Sequence, residues 1–128
     1  MKLLLDTHLL LWAAGVPERL SPDAMRLLCD SSSKLHFSAA SIWEVVIKST
    51  IGRTDFRVVP SQLRDGLVQN DYTEIPIHSD HALSLIKLPN IHRDPFDRIL
   101  VAQAMVEKAI LVTTDSEVAK YPGPIRLV

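Results

Sequence analysis

Leu3-Leu4-Leu5-Asp6-Thr7 is the stretch from which the rest of the chain can be read. A short apolar run ends on a carboxylate and passes at once into a second apolar run, residues 9–14, of helical character. Strands of parallel sheets, buried on both faces, read as continuous apolar sequence rather than as alternation. If Leu3, Leu4 and Leu5 form such a strand, Asp6 stands at its carboxyl end, where open α/β sheets hold their ligands.

Working outward, strand and helix signals alternate. Gly15 and Pro17 stop the first helix. Ser21-Pro22-Asp23 supplies a serine cap, a first-turn proline and an acid suited to the helix dipole, which predicts a helix to about Asp30. Residues 35–38 read as a strand, and Ser38 as the cap of a helix whose apolar face is drawn by Ile42, Val45, Val46 and Trp43 and which Gly52 ends. A loop through Arg57 leads to a helix over about 61–69, a strand over 72–75, and a helix over about 80–88 that Pro89 stops. Ile99, Leu100, Ala102, Gln103 and Val106 mark a helix from Phe96 to Lys108. A strand over 110–113, a short helix over 116–120 and an edge strand over 125–128 close the chain. Five strands alternating with helices imply right-handed crossovers and an α/β fold, a three-layer α/β/α domain around a central, mainly parallel five-stranded sheet.

The length of 128 residues fits one domain, residues 1–128, with a core that needs no staple. Apolar residues make up 47% of it, which predicts apolar surface covered by another chain, in a homodimer, by a partner protein, or both. A formal charge of −1 excludes nucleic-acid binding through a bulk positive field, so phosphate contacts must come from a few local cations. Cys29 is the single cysteine; no disulfide can form within the chain, which suits a reducing cytosol, and its apolar helix predicts a core thiol. Asp6 and His8 break the first apolar run before it reaches the length of a signal segment or a span, so we expect a cytoplasmic protein with no membrane partner.

Three further acids compare with Asp6: Glu44 in Ser41-Ile42-Trp43-Glu44, Asp97 in Asp94-Pro95-Phe96-Asp97-Arg98, and Asp115 after Leu111-Val112-Thr113-Thr114. Singly, each has a structural explanation. Asp6 and Asp115 suit helix caps, Asp97 suits a first helical turn, and Glu44 suits an i,i+4 pair with Lys48. Jointly, two follow apolar strands and two are expected in first turns of helices leaving the same sheet edge. Four carboxylates converging there repel one another unless cations sit among them. An all-oxygen set without Cys or His at zinc spacing points to Mg²⁺ or Mn²⁺. Such cations at an open cleft suit phosphodiester hydrolysis by an activated water. The chain has neither a Gly-rich phosphate loop nor a nucleophile elbow to suggest another chemistry. His78 and His81 stand apart from the acids, and His92 is a candidate for indirect support through its neighbour Asp94.

Four pieces in this order, Leu4-Leu5-Asp6-Thr7-His8, Ser38-Ala39-Ala40-Ser41-Ile42-Trp43-Glu44, His92-Arg93-Asp94-Pro95-Phe96-Asp97-Arg98 and Thr113-Thr114-Asp115, resemble PIN-domain proteins of the VapC type, the ribonuclease toxins of bacterial toxin–antitoxin pairs. The resemblance spans nearly the whole chain. It implies that Asp6, Glu44, Asp97 and Asp115 hold the metal, with Thr113 orienting water or a ligand. It further implies an Mg²⁺- or Mn²⁺-dependent endoribonuclease acting on RNA, a homodimer, and a cognate antitoxin that blocks the cleft. Asp94 is an extra acid beside Asp97. Lys48, Arg93 and Arg98 are the cations we assign to substrate phosphates, against surface pairing with nearby acids. Trp12 and Trp43 suit core or dimer packing better than base stacking. The alternative to an enzyme is a catalytically silent module of the same fold that binds a protein or RNA; a phosphatase or phosphoacceptor ranks last, because His8 stands where a phosphatase of that type needs a second acid.

Overall fold

The structure is a computed structural model that describes residues 1–51 and 58–128; Gly52 and the loop through Arg57 lie outside the described residues. Strands β1 (Lys2–Leu5), β2 (Lys34–Ser38), β3 (Thr73–Ile75), β4 (Ile110–Thr113) and β5 (Ile125–Leu127) form one sheet in the order β3-β2-β1-β4-β5. Every pairing is parallel, with Leu4 opposite His36 on one side and Leu111 on the other. The chain first walks outward from β1 through β2 to β3, then returns across β1 to build β4 and β5. The walk reverses at the seam between β1 and β4, the kind of switch point at which parallel sheets open a crevice beyond their carboxyl ends.

The reversal distributes the helices. Helices α1 (Thr7–Gly15), α2 (Pro22–Cys29), α3 (Ala39–Thr50) and α4 (Pro60–Gln69) lie on the connections of the outward walk, and α5 (Ser79–Ser84) and α6 (Pro95–Glu107) on the return. Right-handed crossovers running in opposite directions put the two groups on opposite faces. The cores agree. Leu3 and Leu5 pack with Leu9, Leu27, Phe37, Val45 and Leu67, whereas Leu4 packs with Leu100, Val101, Ala104, Leu111 and Tyr121. Alternate side chains of one three-leucine strand therefore feed both layers, which is why β1 is apolar without a break.

Local signals place the helix starts. The Ser21 and Ser38 hydroxyls accept from the Ala24 and Ala40 amides, and the Asp94 carboxylate caps α6 through the Phe96 amide. The end of α6 is less regular: Lys108 takes left-handed backbone, φ 54° and ψ 41°, where glycine is the usual residue. Replacing it relieves a strain of about 1 kcal/mol, partly offset by the greater freedom of an unfolded glycine. Lys108→Gly should therefore raise stability by roughly 0.5 kcal/mol, read as a higher urea midpoint at unchanged slope.

Several expectations are corrected. The helix predicted over 80–88 divides into α5 and a 3₁₀ turn at Leu85–Lys87, and that over 116–120 shrinks to a 3₁₀ turn at Val118–Lys120. Cys29 is exposed, because α2 turns its buried face through Ala24 and Leu27. Trp43 is 58% exposed and packs edge-on against Phe96 at 5.1 Å, while Trp12 lies partly buried against the core. His81 is fully buried and joins α5 to α6: its Nδ1 accepts the His78 amide at 3.0 Å and its Nε2 donates to Glu107 at 2.9 Å. The His81 hydrogen bond holds the Glu107 carboxyl below its usual range.

Candidate functional site

Asp6 leaves β1 at the reversal seam and caps α1. One carboxylate oxygen accepts the Leu9 amide at 2.9 Å, and the other accepts the Thr113 hydroxyl at 2.5 Å. That second bond spans the seam, tying the end of β1 to the end of β4. The Thr113 oxygen in turn accepts the Asp115 amide at 3.0 Å, which sets where the chain leaves β4. Thr113 is fully buried, so its hydroxyl serves to orient one acid and the backbone of another. Burial pushes the Asp6 carboxyl above its usual value, against the pull of Thr113 and the Leu9 amide.

Glu44 enters from α3. It lies in the second helical turn rather than the first, and it is 4% exposed. Thr7 Oγ1 donates to Glu44 Oε1 at 2.7 Å and lies 2.9 Å from Ser41 Oγ; with one hydrogen to give, it takes the serine as its donor. Lys48 sits 2.6 Å from the other Glu44 oxygen, one turn farther along the helix. Neither Thr7 nor Ser41 stood out among the candidate residues, although each lies within three positions of a candidate acid.

Asp97 stands in the first turn of α6. Its carboxyl is pushed up to about 7, first by burial and then by Asp94, with smaller contributions from Glu44 and Asp6; His92 acts in the opposite sense. The smaller pushes from Glu44 and Asp6 come from other elements of the fold. Asp115 reaches the same place through His92, whose Nε2 is 3.4 Å from Asp97 and 3.8 Å from Asp115. Ligand atoms of His92, Asp97 and Asp115 all lie within 4.8 Å of one another. Asp115 turns its other oxygen to the Glu117 amide at 2.8 Å, capping a turn where a helix was expected. His92 is thus closer to the acids than its sequence position suggested.

The four acids come from the end of β1, from α3, from the first turn of α6 and from the end of β4, and among the described residues Asp97 and Asp115 are brought together with His92. The donor set is of hard oxygens, buried enough to raise two of their pKa values, and this fits a hard divalent cation. The basic residues behave differently. Arg93 is exposed in the segment ahead of α6, next to His92. Arg98, expected to contact phosphate, donates to the Pro89 carbonyl at 2.8 Å and to the Tyr121 hydroxyl at 3.2 Å, so its guanidinium braces the loop ahead of α6.

Comparison with known proteins follows the same outline. No curated protein sequence matches the chain. Among solved structures, the chain is similar to VapBC2 from Rickettsia felis bound to a DNA fragment of its promoter, with a TM-score of 0.72 and 15% identity over 99% of this chain and 98% of that one. It is also similar to VapBC-1 from nontypeable Haemophilus influenzae, with a TM-score of 0.58, 15% identity and coverage of 99% and 98%. A toxin–antitoxin complex from Klebsiella pneumoniae gives 0.59, 17% identity and coverage of 96% and 94%. At those identities the likeness concerns the fold. The sequence itself matches the family model of the PIN domain over residues 3–124, almost its whole length, and the chain therefore belongs to the PIN-domain family.

Proposed function

We propose that this protein is a VapC-type toxin, an endoribonuclease that hydrolyses RNA phosphodiester bonds with Mg²⁺ or Mn²⁺ held by Asp6, Glu44, Asp97 and Asp115. The observation that carries this reading is the cluster in which ligand atoms of Asp97, Asp115 and His92 lie within 4.8 Å of one another, where burial and the neighbouring acid Asp94 push the Asp97 carboxyl up to about 7. Such crowding is costly unless a cation relieves it. A divalent cation held there supplies charge neutralisation for the phosphodiester and a water acidic enough to attack it. The chain's own part is to fix the acids. Thr113 aims Asp6, Thr7 aims Glu44, and Lys48 and Arg93 stand at the rim as the cations for flanking phosphates. Arg98 acts one step removed, through the loop that it braces.

The structural relatives are complexes with antitoxins, and this chain has a face suited to a partner. An apolar cleft of about 630 Å³ opens between α1, α2 and α4, lined by Leu11, Leu20, Leu28, Leu63, Leu67 and Tyr72. We place the antitoxin there. Exposed Trp43 and Val46 on α3, with Ile51 at its C-cap, offer a second apolar face, which suits the homodimer. No helix among the described residues is long and apolar enough to cross a membrane.

Calorimetry of the purified protein, freed of any partner, tests the metal reading directly. Mn²⁺ should bind, and cleavage of single-stranded RNA should appear with Mg²⁺ or Mn²⁺ and stop with EDTA. Absence of both binding and cleavage would replace the enzyme by a silent binding module of the same fold.

A further inference from the structure

His92 lies between two of the acids and outside the ligand set assigned above, and its surroundings fix what it can do there. Its Nδ1 accepts the Asp94 amide hydrogen at 3.1 Å. A ring nitrogen that accepts carries a lone pair, so the ring hydrogen is on Nε2, the atom facing Asp97 and Asp115. An Nε2 that bears hydrogen cannot ligate a metal. It faces the carboxylates of Asp97 and Asp115 with its hydrogen instead.

The backbone of His92 is held as firmly as its ring. The His92 amide donates to the Tyr121 hydroxyl at 2.7 Å, and that hydroxyl donates back to the His92 carbonyl at 3.0 Å. Arg98 fills the remaining lone pair of the hydroxyl at 3.2 Å and lies over the Tyr121 ring, 5.8 Å from its centroid. Tyr121 is 3% exposed, so its hydroxyl is a buried three-bond junction with all its capacity used. The segment ahead of α6 is thereby pinned to the turn that follows β4, and the residue at the pinned point is the one whose ring spans Asp97 and Asp115.

We propose that His92 is a positioning residue for the metal site: its Nε2–H stands between Asp97 and Asp115, 3.4 Å and 3.8 Å away, and its positive edge holds the two carboxylates at the spacing the cation needs, with Tyr121 and Arg98 locking the ring's backbone. This rests on the metal reading above and adds to it a residue that touches the ligands rather than the ion. Residues that orient metal ligands in this way typically change affinity by about 10- to 100-fold.

The test joins one measurement that needs no metal to one that does. In the metal-free protein, nitrogen NMR of the imidazole should show the hydrogen of His92 on Nε2, whether or not any cation binds; a hydrogen on Nδ1 overturns the proposal. By calorimetry, His92→Phe, which keeps a ring and loses the donor, should weaken Mn²⁺ binding at least about 10-fold. His92→Gln, which returns an N–H at similar reach, should recover most of that loss, and Tyr121→Phe should weaken binding in the same direction with the fold intact by circular dichroism. Unchanged affinity in His92→Phe overturns the positioning role, as does direct nitrogen coordination in the electron paramagnetic resonance of the Mn²⁺-loaded protein. A wild-type protein that binds no Mn²⁺ but shows the Nε2 hydrogen locates the failure in the metal reading, leaving His92 only as a ring set between two carboxylates.

Discussion

Asp6→Asn should reduce RNA cleavage by about 10³-fold or more while leaving the fold in place. The size follows from the part a ligating carboxylate plays, several kcal/mol of charge stabilisation in the transition state, at about 1.4 kcal/mol per tenfold in rate. The survival of the fold follows from the local bonds. The Asp6 side chain caps α1 through the Leu9 amide, and asparagine caps as well as aspartate does. The buried carboxylate is moreover a charge that burial disfavours, so its neutral replacement removes a cost as well as a function. The measurement is cleavage of single-stranded RNA in Mn²⁺ beside a thermal melt. Undiminished cleavage by the folded variant would falsify the assignment of Asp6.

Asp97→Asn should stabilise the metal-free protein at pH 8 and leave it unchanged near pH 3. The sign follows from proton linkage. The carboxyl titrates near 7 in the folded chain and near 3.8 when unfolded, so between those values the native state binds the extra proton. Stability then falls as pH rises from about 4 to about 7, and the full cost is present above 7. Below 4 both states are protonated, and asparagine replaces a neutral acid of the same shape. The carboxylate keeps 21% of its surface in solvent, and with that screening the effect at pH 8 is about 1 to 2 kcal/mol. Urea unfolding in EDTA at the two pH values reads it. Saturating Mn²⁺ should erase the advantage, because the wild-type protein gains binding energy that the variant lacks. A variant less stable than wild type at pH 8 without metal would mean that Asp97 is held by favourable contacts rather than crowded by its neighbours.

Much of this architecture is legible in the sequence because its causes are local. The caps at Ser21 and Ser38 act on amides two or three residues away, and the unbroken apolar run of β1 reports a strand covered on both faces. The parallel sheet follows from alternation alone. Strand order does not: nothing near Leu4 says that its neighbour on one side is Leu111, and so the seam where Asp6 meets Thr113 had no sequence signal beyond an acid after an apolar run. Glu44 shows the limit of periodicity, since the pattern marks a helix but leaves open which turn reaches the crevice. For Cys29, apolar character in an amphipathic helix predicts burial, but the helix turns its buried face through Ala24 and Leu27; for Trp43, exposure excludes the core half of the core-or-dimer reading. Arg98 and His92 were judged by their nearest neighbours in sequence. Their deciding contact is the Tyr121 hydroxyl, 23 and 29 residues away, and no spacing rule announces such a junction.

The bond from Thr113 to Asp6 closes a loop of 107 residues, and β4 must slot in beside β1 before it can form. Pairings so distant along the chain are made late and slowly. A polypeptide still being synthesised, or one cut short before β4, exposes one flank of β1 and holds only some of its acids. Under the ribonuclease function proposed above, this order of assembly acts as a delay: Asp6 and Asp115 follow strands far apart in the sequence, and the site they are proposed to share cannot form until β4 is in place.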